Sequence, residues 1–478
     1  MDLRSTIFKG VYWTAMMEII TKMVSLVSSI LIARILLPSD FGVIAAIGIF
    51  ISIAQVLVNS GMTSSLVRDE DVNDSDYNTV FYFNFLASLV LYGIIFFLAP
   101  FIANYFRTEV IVKVIRVLSL NIIIQSFYVV QFTKLSKELK FKRLTVYNLT
   151  ASILGTLLGL MCAHMGYGVW SLVILAISIE IIKVLIVFWK EKWRPVFQFS
   201  KEKFSKHFQF GYKMAASGLL NTVFNELYTF VIAKYYSISQ LGYYNRANSL
   251  SQYPSVTLSS IVHKVSFPLL STLKDDDNKL IEIQKKTMQA IMFVIAPILI
   301  ISAVVAKPLF NVLFTDKWSE AAPMFQILAV NALLHPIHAF NLQVVGIKGR
   351  SDLFLKAELI KKILILVTVA ISFVLGGLYG ILYGSVVISF LALFVNMHFC
   401  SRVLPFGILE QIKSLIPVFM FCLAMSLIIY FMGKWIFAYQ LSEIWSIFII
   451  SFMSIIAYLL FAKLVKISIL TELLKFAK

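Results

Sequence analysis

Eleven ionisable side chains lie inside long apolar runs of this sequence, and any chemistry the chain performs has to be looked for there. Seven are cations (Lys22, Arg116, Lys183, Lys213, Lys264, Lys361 and Lys362) and four are carboxylates (Glu18, Glu180, Glu226 and Glu358). An uncompensated charge at the centre of a hydrocarbon layer costs at least about 2.5–3.5 kcal/mol, so each group should face protein or water. Lys183, Lys213 and Lys264 are near enough to the ends of their runs for the ammonium to reach the surface along its aliphatic stem. Lys22 and Arg116 lie two or more turns inside and are the stronger candidates for holding an anion, with Lys213 and Lys264 beside them. A guanidinium offers phosphate a planar fork and an ammonium a point charge.

Three of the carboxylates have helical ion-pair spacing to a cation: Glu18 to Lys22, Glu180 to Lys183, and Glu358 to Lys361 and Lys362. That spacing predicts mutual neutralisation. Glu226, next to Asn221 and Asn225, has no such partner. A carboxylate whose charge follows its access to water suits coupling to a proton or a sodium ion, so Glu226 is the first ion-coupling candidate, with Glu18 and Glu358 after it. Neutral polar groups cluster between 331 and 343, as Asn331, His335, His338, Asn341 and Gln343. Hydroxyl-rich ligands need such donors and acceptors, and Asn331, His335 and Asn341 are the candidates. Hydrogen bonding between helices explains isolated Asn and Gln equally well. His335 and His338 lack a third ligand at a suitable spacing, and Cys162, Cys400 and Cys422 have neither metal-like nor disulfide-like spacing, so no metal, cofactor or catalytic residue is expected.

The elements that must carry these groups are membrane helices. Hydrophobic residues make up 59% of the 478, and the mean hydropathy is +0.86. Crossing about 30 Å of hydrocarbon takes roughly 20 apolar residues. About fourteen runs qualify: 11–36, 41–66, 79–103, 110–133, 146–166, 168–189, 208–234, 246–270, 287–306, 322–346, 355–376, 378–401, 412–433 and 443–463. The first, with Glu18 and Lys22 and no small-residue cleavage pattern, reads as a retained helix. The eighth is the most polar and predicts a wet face.

A net charge of +17 would suggest nucleic acid in a soluble protein, but its placement points to orientation in a bilayer. With the N-terminus inside, the outer connections hold only Arg34, Arg107, Lys113, Lys234, Arg246, Lys307, Lys317 and Lys434, and the other loop cations lie inside. This asymmetry places both termini in the cytoplasm and sets the basic loops 134–143 and 190–206 against anionic membrane lipids.

The sequence also repeats. Ile32-Ala33-Arg34 with Ser39 and Gly42 recurs at an offset of 200 as Ile232-Ala233-Lys234 with Ser239 and Gly242. One helix later, Ser65 with Arg68-Asp69-Glu70-Asp71 is echoed by Ser271 with Lys274-Asp275-Asp276-Asp277. Two echoes in one order imply two parallel six-helix lobes, 1–205 and 206–405, with 406–478 carrying an appended helix pair and a cytoplasmic tail. Lobes of this kind enclose a cavity that can open to either side.

These residues resemble the Wzx-type polysaccharide and O-antigen flippases, in the branch of colanic-acid and lipopolysaccharide exporters. That branch lies within the multidrug/oligosaccharidyl-lipid/polysaccharide exporter superfamily. The resemblance rests on Phe8, Gly10 and Trp13; on Ala33-Arg34, Leu36, Pro38 and Asp40-Phe41-Gly42; and on Gly61-Met62. In the second half it rests on 242–247, Pro254, Phe267-Pro268, Lys317-Trp318, Ala322-Pro323 and 346–352; Thr315-Asp316 departs from the glycine often found in the family. It implies an inner-membrane carrier that moves an undecaprenyl-pyrophosphate-linked oligosaccharide to the periplasmic leaflet, with a polysaccharide polymerase and glycosyltransferases as partners. An ion-coupled multidrug or small-molecule antiporter of the same fold is the nearest alternative. A membrane glycosyltransferase or polymerase fits less well, since the longest outer connection, 307–321, is short.

Overall fold

The computed structural model describes residues 3–59 and 61–465, with side chains for all of these except 3–15, 17, 18, 264, 265, 267–269 and 271. Among the described residues there is helix and no strand. In order the helices are α1 (Leu3–Ile35), α2 (Pro38–Asn59), α3 (Met62–Arg68), α4 (Asp74–Tyr105), α5 (Val110–Leu118), α6 (Leu120–Ser126), α7 (Val129–Lys137), α8 (Phe141–His164) and α9 (Val169–Lys190). They continue with α10 (Lys201–Asn225), α11 (Leu227–Tyr235), α12 (Ile238–Thr272), α13 (Asp277–Val304), α14 (Ala306–Phe314), α15 (Ala321–Ile347), α16 (Ser351–Ser401), α17 (Ile408–Phe437) and α18 (Glu443–Leu464).

Among the described residues, nine helices are long and apolar enough to cross a membrane, and the bent run α5 to α7 makes a tenth. The protein is a multi-pass membrane protein. Its α16 contains two of the expected spans: Gly377, at φ 57° and ψ −137°, breaks the helix at the expected residue. The two arms then pack so closely that a methyl group on Gly380 would lie 2.3 Å from the Ser372 carbonyl oxygen. The remaining expected spans correspond to α1, the broken pair α10 and α11, and α12.

The chain divides into two compact units, Met1–Asn245 and Arg246–Lys478. In the first, α8 packs on α9 and α1, α2 packs on α4, α9 and α10, and α4 packs on α5 and α6. In the second, α13 packs on α15, α17 and α18, and α15 packs on α16. Large apolar side chains such as Phe97, Phe101 and Leu185 in the first unit and Val374 and Leu375 in the second remain exposed, as expected for surfaces that meet lipid and not water.

The first echo in the sequence acquires a physical meaning here. A methyl group on Gly42 would lie 1.9 Å from the Ile238 carbonyl oxygen, and one on Gly242 would lie 1.9 Å from that of Pro38. The starts of α2 and α12 therefore cross backbone to backbone, each glycine against the first residue of the other helix. The approach is reciprocal, as the echo in the sequence is, and only glycine allows it.

Candidate functional site

Arg116 sits on α5 with its side chain half-buried against α4. Its Nε donates to the Phe96 carbonyl at 3.2 Å, and its guanidinium lies 4.2 Å from the centroid of the Phe96 ring. That carbonyl is special because Pro100, four residues on, lies within α4 and has no N–H to give it. A bare carbonyl in hydrocarbon is costly, and Arg116 supplies the missing donor. The geometry makes Arg116 a residue that completes α4.

Lys22 on α1 and Lys213 on α10 are exposed on the first unit, and Lys213 leans over the ring of its neighbour Tyr212 at 5.9 Å. The side chains of Glu18 and Lys264 lie outside the described residues. Glu226 sits at the break between α10 and α11, where its amide still bonds to the Thr222 carbonyl and its carbonyl accepts from Phe230. Its carboxylate is half-buried, and among the described residues no ion pair forms to it. The buried Tyr244 lies near it and near Tyr228. The other carboxylates pair as their spacing suggests: Glu358 with Lys361 at 2.5 Å, and Glu180 with Lys183 at 2.9 Å while also accepting from the Tyr128 hydroxyl at 2.5 Å.

The polar cluster on α15 is largely turned towards neighbouring helices of the second unit. Asn341 is fully buried and accepts from Gln284 of α13 at 2.8 Å; Gln343 donates to Ser266 of α12 at 3.2 Å. His338 lies between Asn396, whose amide donates to Nδ1 at 3.2 Å, and Ser389, which faces Nε2 at 3.1 Å. These bonds tie α12, α13, α15 and α16 together. Asn331 and His335 are half-buried, and the buried Nδ1 of His335 has no hydrogen-bond partner among the described residues. Within this cluster those two are better disposed towards a ligand than Asn341.

Sequence spacing gave no sign of one further arrangement. Asp76, in the first turn of α4, and His207 on α10 are both fully buried, and His207 Nε2 donates to Asp76 at 3.0 Å while Nδ1 pairs with the Ser65 hydroxyl at 2.9 Å. The order resembles a hydrolytic triad. The enclosure of both groups denies it a substrate, and Asp76 is also held by the Asn73 amide at 3.0 Å and by Lys203 at 3.2 Å. Asp69 completes a group that approaches metal-ligand geometry. Lys206 already binds Asp69, holding its carboxyl below and the ammonium above their ordinary values. The cluster fastens α3, α4 and α10 together at one end of the first unit. Its members are up to 142 residues apart, so no local pattern could have announced it.

Residues 31–323, more than half of the chain, match the model of a family described as polysaccharide biosynthesis protein. The chain belongs to that family. Its relatives include the lipopolysaccharide biosynthesis protein WzxC of Escherichia coli strain K12, 24% identical over 396 residues, with 81% of this chain and 80% of the relative covered. The teichuronic acid biosynthesis protein TuaB of Bacillus subtilis strain 168 is 22% identical over 430 residues, 89% of each chain. Among solved structures, the lipid II flippase MurJ in an inward closed conformation is similar at a TM-score of 0.76 and 14% identity, over 95% of this chain and 98% of the other. An inward-facing MATE multidrug resistance transporter is similar at 0.61 and 16% identity, over 81% and 98%. These likenesses give the fold of this polysaccharide-family member, and it is the fold expected from its apolar runs.

Proposed function

We propose that this protein flips an oligosaccharide linked to undecaprenyl pyrophosphate from the cytoplasmic to the periplasmic leaflet of a bacterial inner membrane, for polysaccharide or lipopolysaccharide assembly. Membership of the polysaccharide biosynthesis family carries the reading. The fold alone fits an ion-coupled drug antiporter as well, since the MATE structures share it. Intramembrane cations outnumber carboxylates, which favours an anionic cargo; Lys22 and Lys213 are proposed to meet its diphosphate, and Asn331 and His335 its sugars. Glu226, a carboxylate at a helix break with no ion pair among the described residues, is proposed to bind the coupling proton or sodium ion. The charge asymmetry of the loops supports cytoplasmic termini. No bond of the cargo is made or broken.

The test is transport by purified protein in liposomes carrying fluorescent lipid-linked oligosaccharide, with accessibility to an external glycosidase as the readout. Wild-type protein should expose the cargo, and Lys22→Ala with Lys213→Ala should slow exposure at least about tenfold without lowering protein yield, since one hydrogen bond to a charged group is worth about 1.5–3 kcal/mol. Efflux of organic cations with no movement of the oligosaccharide would overturn the flippase in favour of the antiporter.

A further inference from the structure

A cavity of about 380 Å³ opens in the first unit where α7, the 138–140 turn, the start of α8 and the residues after α9 meet. Five cations line it, Lys134, Lys140, Arg143, Lys190 and Lys192, against two carboxylates, Glu138 and Glu191. The carboxylates are already engaged: Glu138 with Lys140 at 2.5 Å, and Glu191 with Arg143 at 3.4 Å and the Tyr147 hydroxyl at 2.6 Å. Lys134 pairs with Asp74 outside the lining at 3.3 Å. Among the described residues Lys190 meets only the Trp189 ring, at 3.8 Å, and Lys192 forms no ion pair. Positive charge therefore exceeds what the protein neutralises. The start of α8 adds to it, because Lys140 in the capping position gives the first amides no side-chain cap, and uncapped amides favour an anion.

What surrounds the cavity indicates where that anion comes from. Leu139, between the lining residues Glu138 and Lys140, is 72% exposed, and Trp189, next to the lining Lys190, is 78% exposed; both stand where the exposed apolar faces of α8 and α9 begin. A site for a soluble anion has no use for an apolar rim. A phospholipid has use for both parts, a phosphate to seat among the ammonium groups and acyl chains to lie along exposed helix, with tryptophan at the level of the headgroups. We propose that this cavity is a binding site for an anionic phospholipid, held by its phosphate between Lys190, Lys192 and the start of α8. The site is separate from the residues proposed to bind cargo, and it stands whether or not the protein is a flippase.

The experiment titrates full-length protein in uncharged detergent into fluorescent phosphatidylglycerol, with phosphatidylcholine bearing the same label as reference. Wild-type protein should prefer phosphatidylglycerol. Lys190→Gln with Lys192→Gln should weaken its binding about 30-fold, from about 1 kcal/mol for each basic residue near an anionic headgroup. Lys192→Gln alone, at an exposed position where folding is not at stake, should weaken it about fivefold. The same charge removed from the other unit, by Lys413→Gln with Lys463→Gln, should change binding less than about threefold. Equal loss in this control pair would mean diffuse attraction, and no loss in either cavity variant would mean a different seat; both overturn the site. Inorganic pyrophosphate at the concentration of the lipid should not displace it. Displacement would show that the cavity takes a water-soluble phosphate, and the lipid assignment would fail.

Discussion

If Arg116 exists to complete α4, its removal should cost more while Pro100 is present than when residue 100 can supply its own N–H. In the wild type the Phe96 carbonyl has no helical donor and takes the Arg116 Nε–H at 3.2 Å. Arg116→Ala loses that bond and the stacking on the Phe96 ring. A hydrogen bond from a charged group is worth about 1.5–3 kcal/mol, but measured bonds between membrane helices average only about 0.6 and reach about 1.7 kcal/mol, because the unfolded chain in a bilayer finds other partners. A charged donor to a carbonyl with no alternative belongs at the upper end, so about 1.5 kcal/mol is expected from the bond and about 0.5–1 kcal/mol from the stacking. In a Pro100→Ala background the new N–H at 100 satisfies the carbonyl, and Arg116→Ala should cost only the stacking. The coupling energy in the double-mutant cycle should thus be near 1.5 kcal/mol, measured by reversible unfolding in mixed micelles. A coupling below about 0.5 kcal/mol would refute the structural role. Transport by the double variant is the second readout: if it is as stable as the wild type yet moves no cargo, Arg116 is a head-group ligand after all. Arg116→Lys keeps a donor but loses the planar stack, and should fall between wild type and Ala.

Gly242→Ala places a methyl 1.9 Å from a backbone carbonyl and should abolish the monodisperse peak in size-exclusion chromatography, whereas Gly48→Ala, with no atom within 4 Å, should leave it intact; equal behaviour of the two would mean that the α2 and α12 crossing is not as described. Glu226→Gln keeps a polar side chain, so folding should be preserved while transport loses its dependence on pH or sodium; an unchanged ion dependence would place coupling elsewhere. Lys206 depresses the Asp69 carboxyl, so the stabilisation from that pair is present above the ordinary carboxylate range and is lost as pH falls through the lowered folded value. Melting curves of Asp69→Asn and wild type should therefore differ at neutral pH and converge in strong acid, and a gap that persisted or widened there would contradict the pairing.

The membrane class, the helical content, the approximate positions of fourteen spans and the family were all legible in the sequence. Each depends on local composition or short motifs: a run of 20 apolar residues can only be a helix in hydrocarbon, Gly377 interrupts its run at the turn between two spans, and Glu358 with Lys361 meet because a helix brings i and i+3 together. Tertiary structure decided what the polar residues do, because that depends on which helix faces which. A deep arginine reads as an anion ligand in the sequence, and only the fold shows that it faces the carbonyl left bare by Pro100 on another helix. Asn341 reads as a sugar contact from its spacing, and only the fold shows that its oxygen accepts from Gln284, 57 residues away. Asp76 and His207 carried no signal, since their meeting 131 residues apart belongs to the packing of α4 on α10. The glycine echo was visible as a repeat, but its reason, two backbones crossing too closely for any side chain, exists only once the chain is folded.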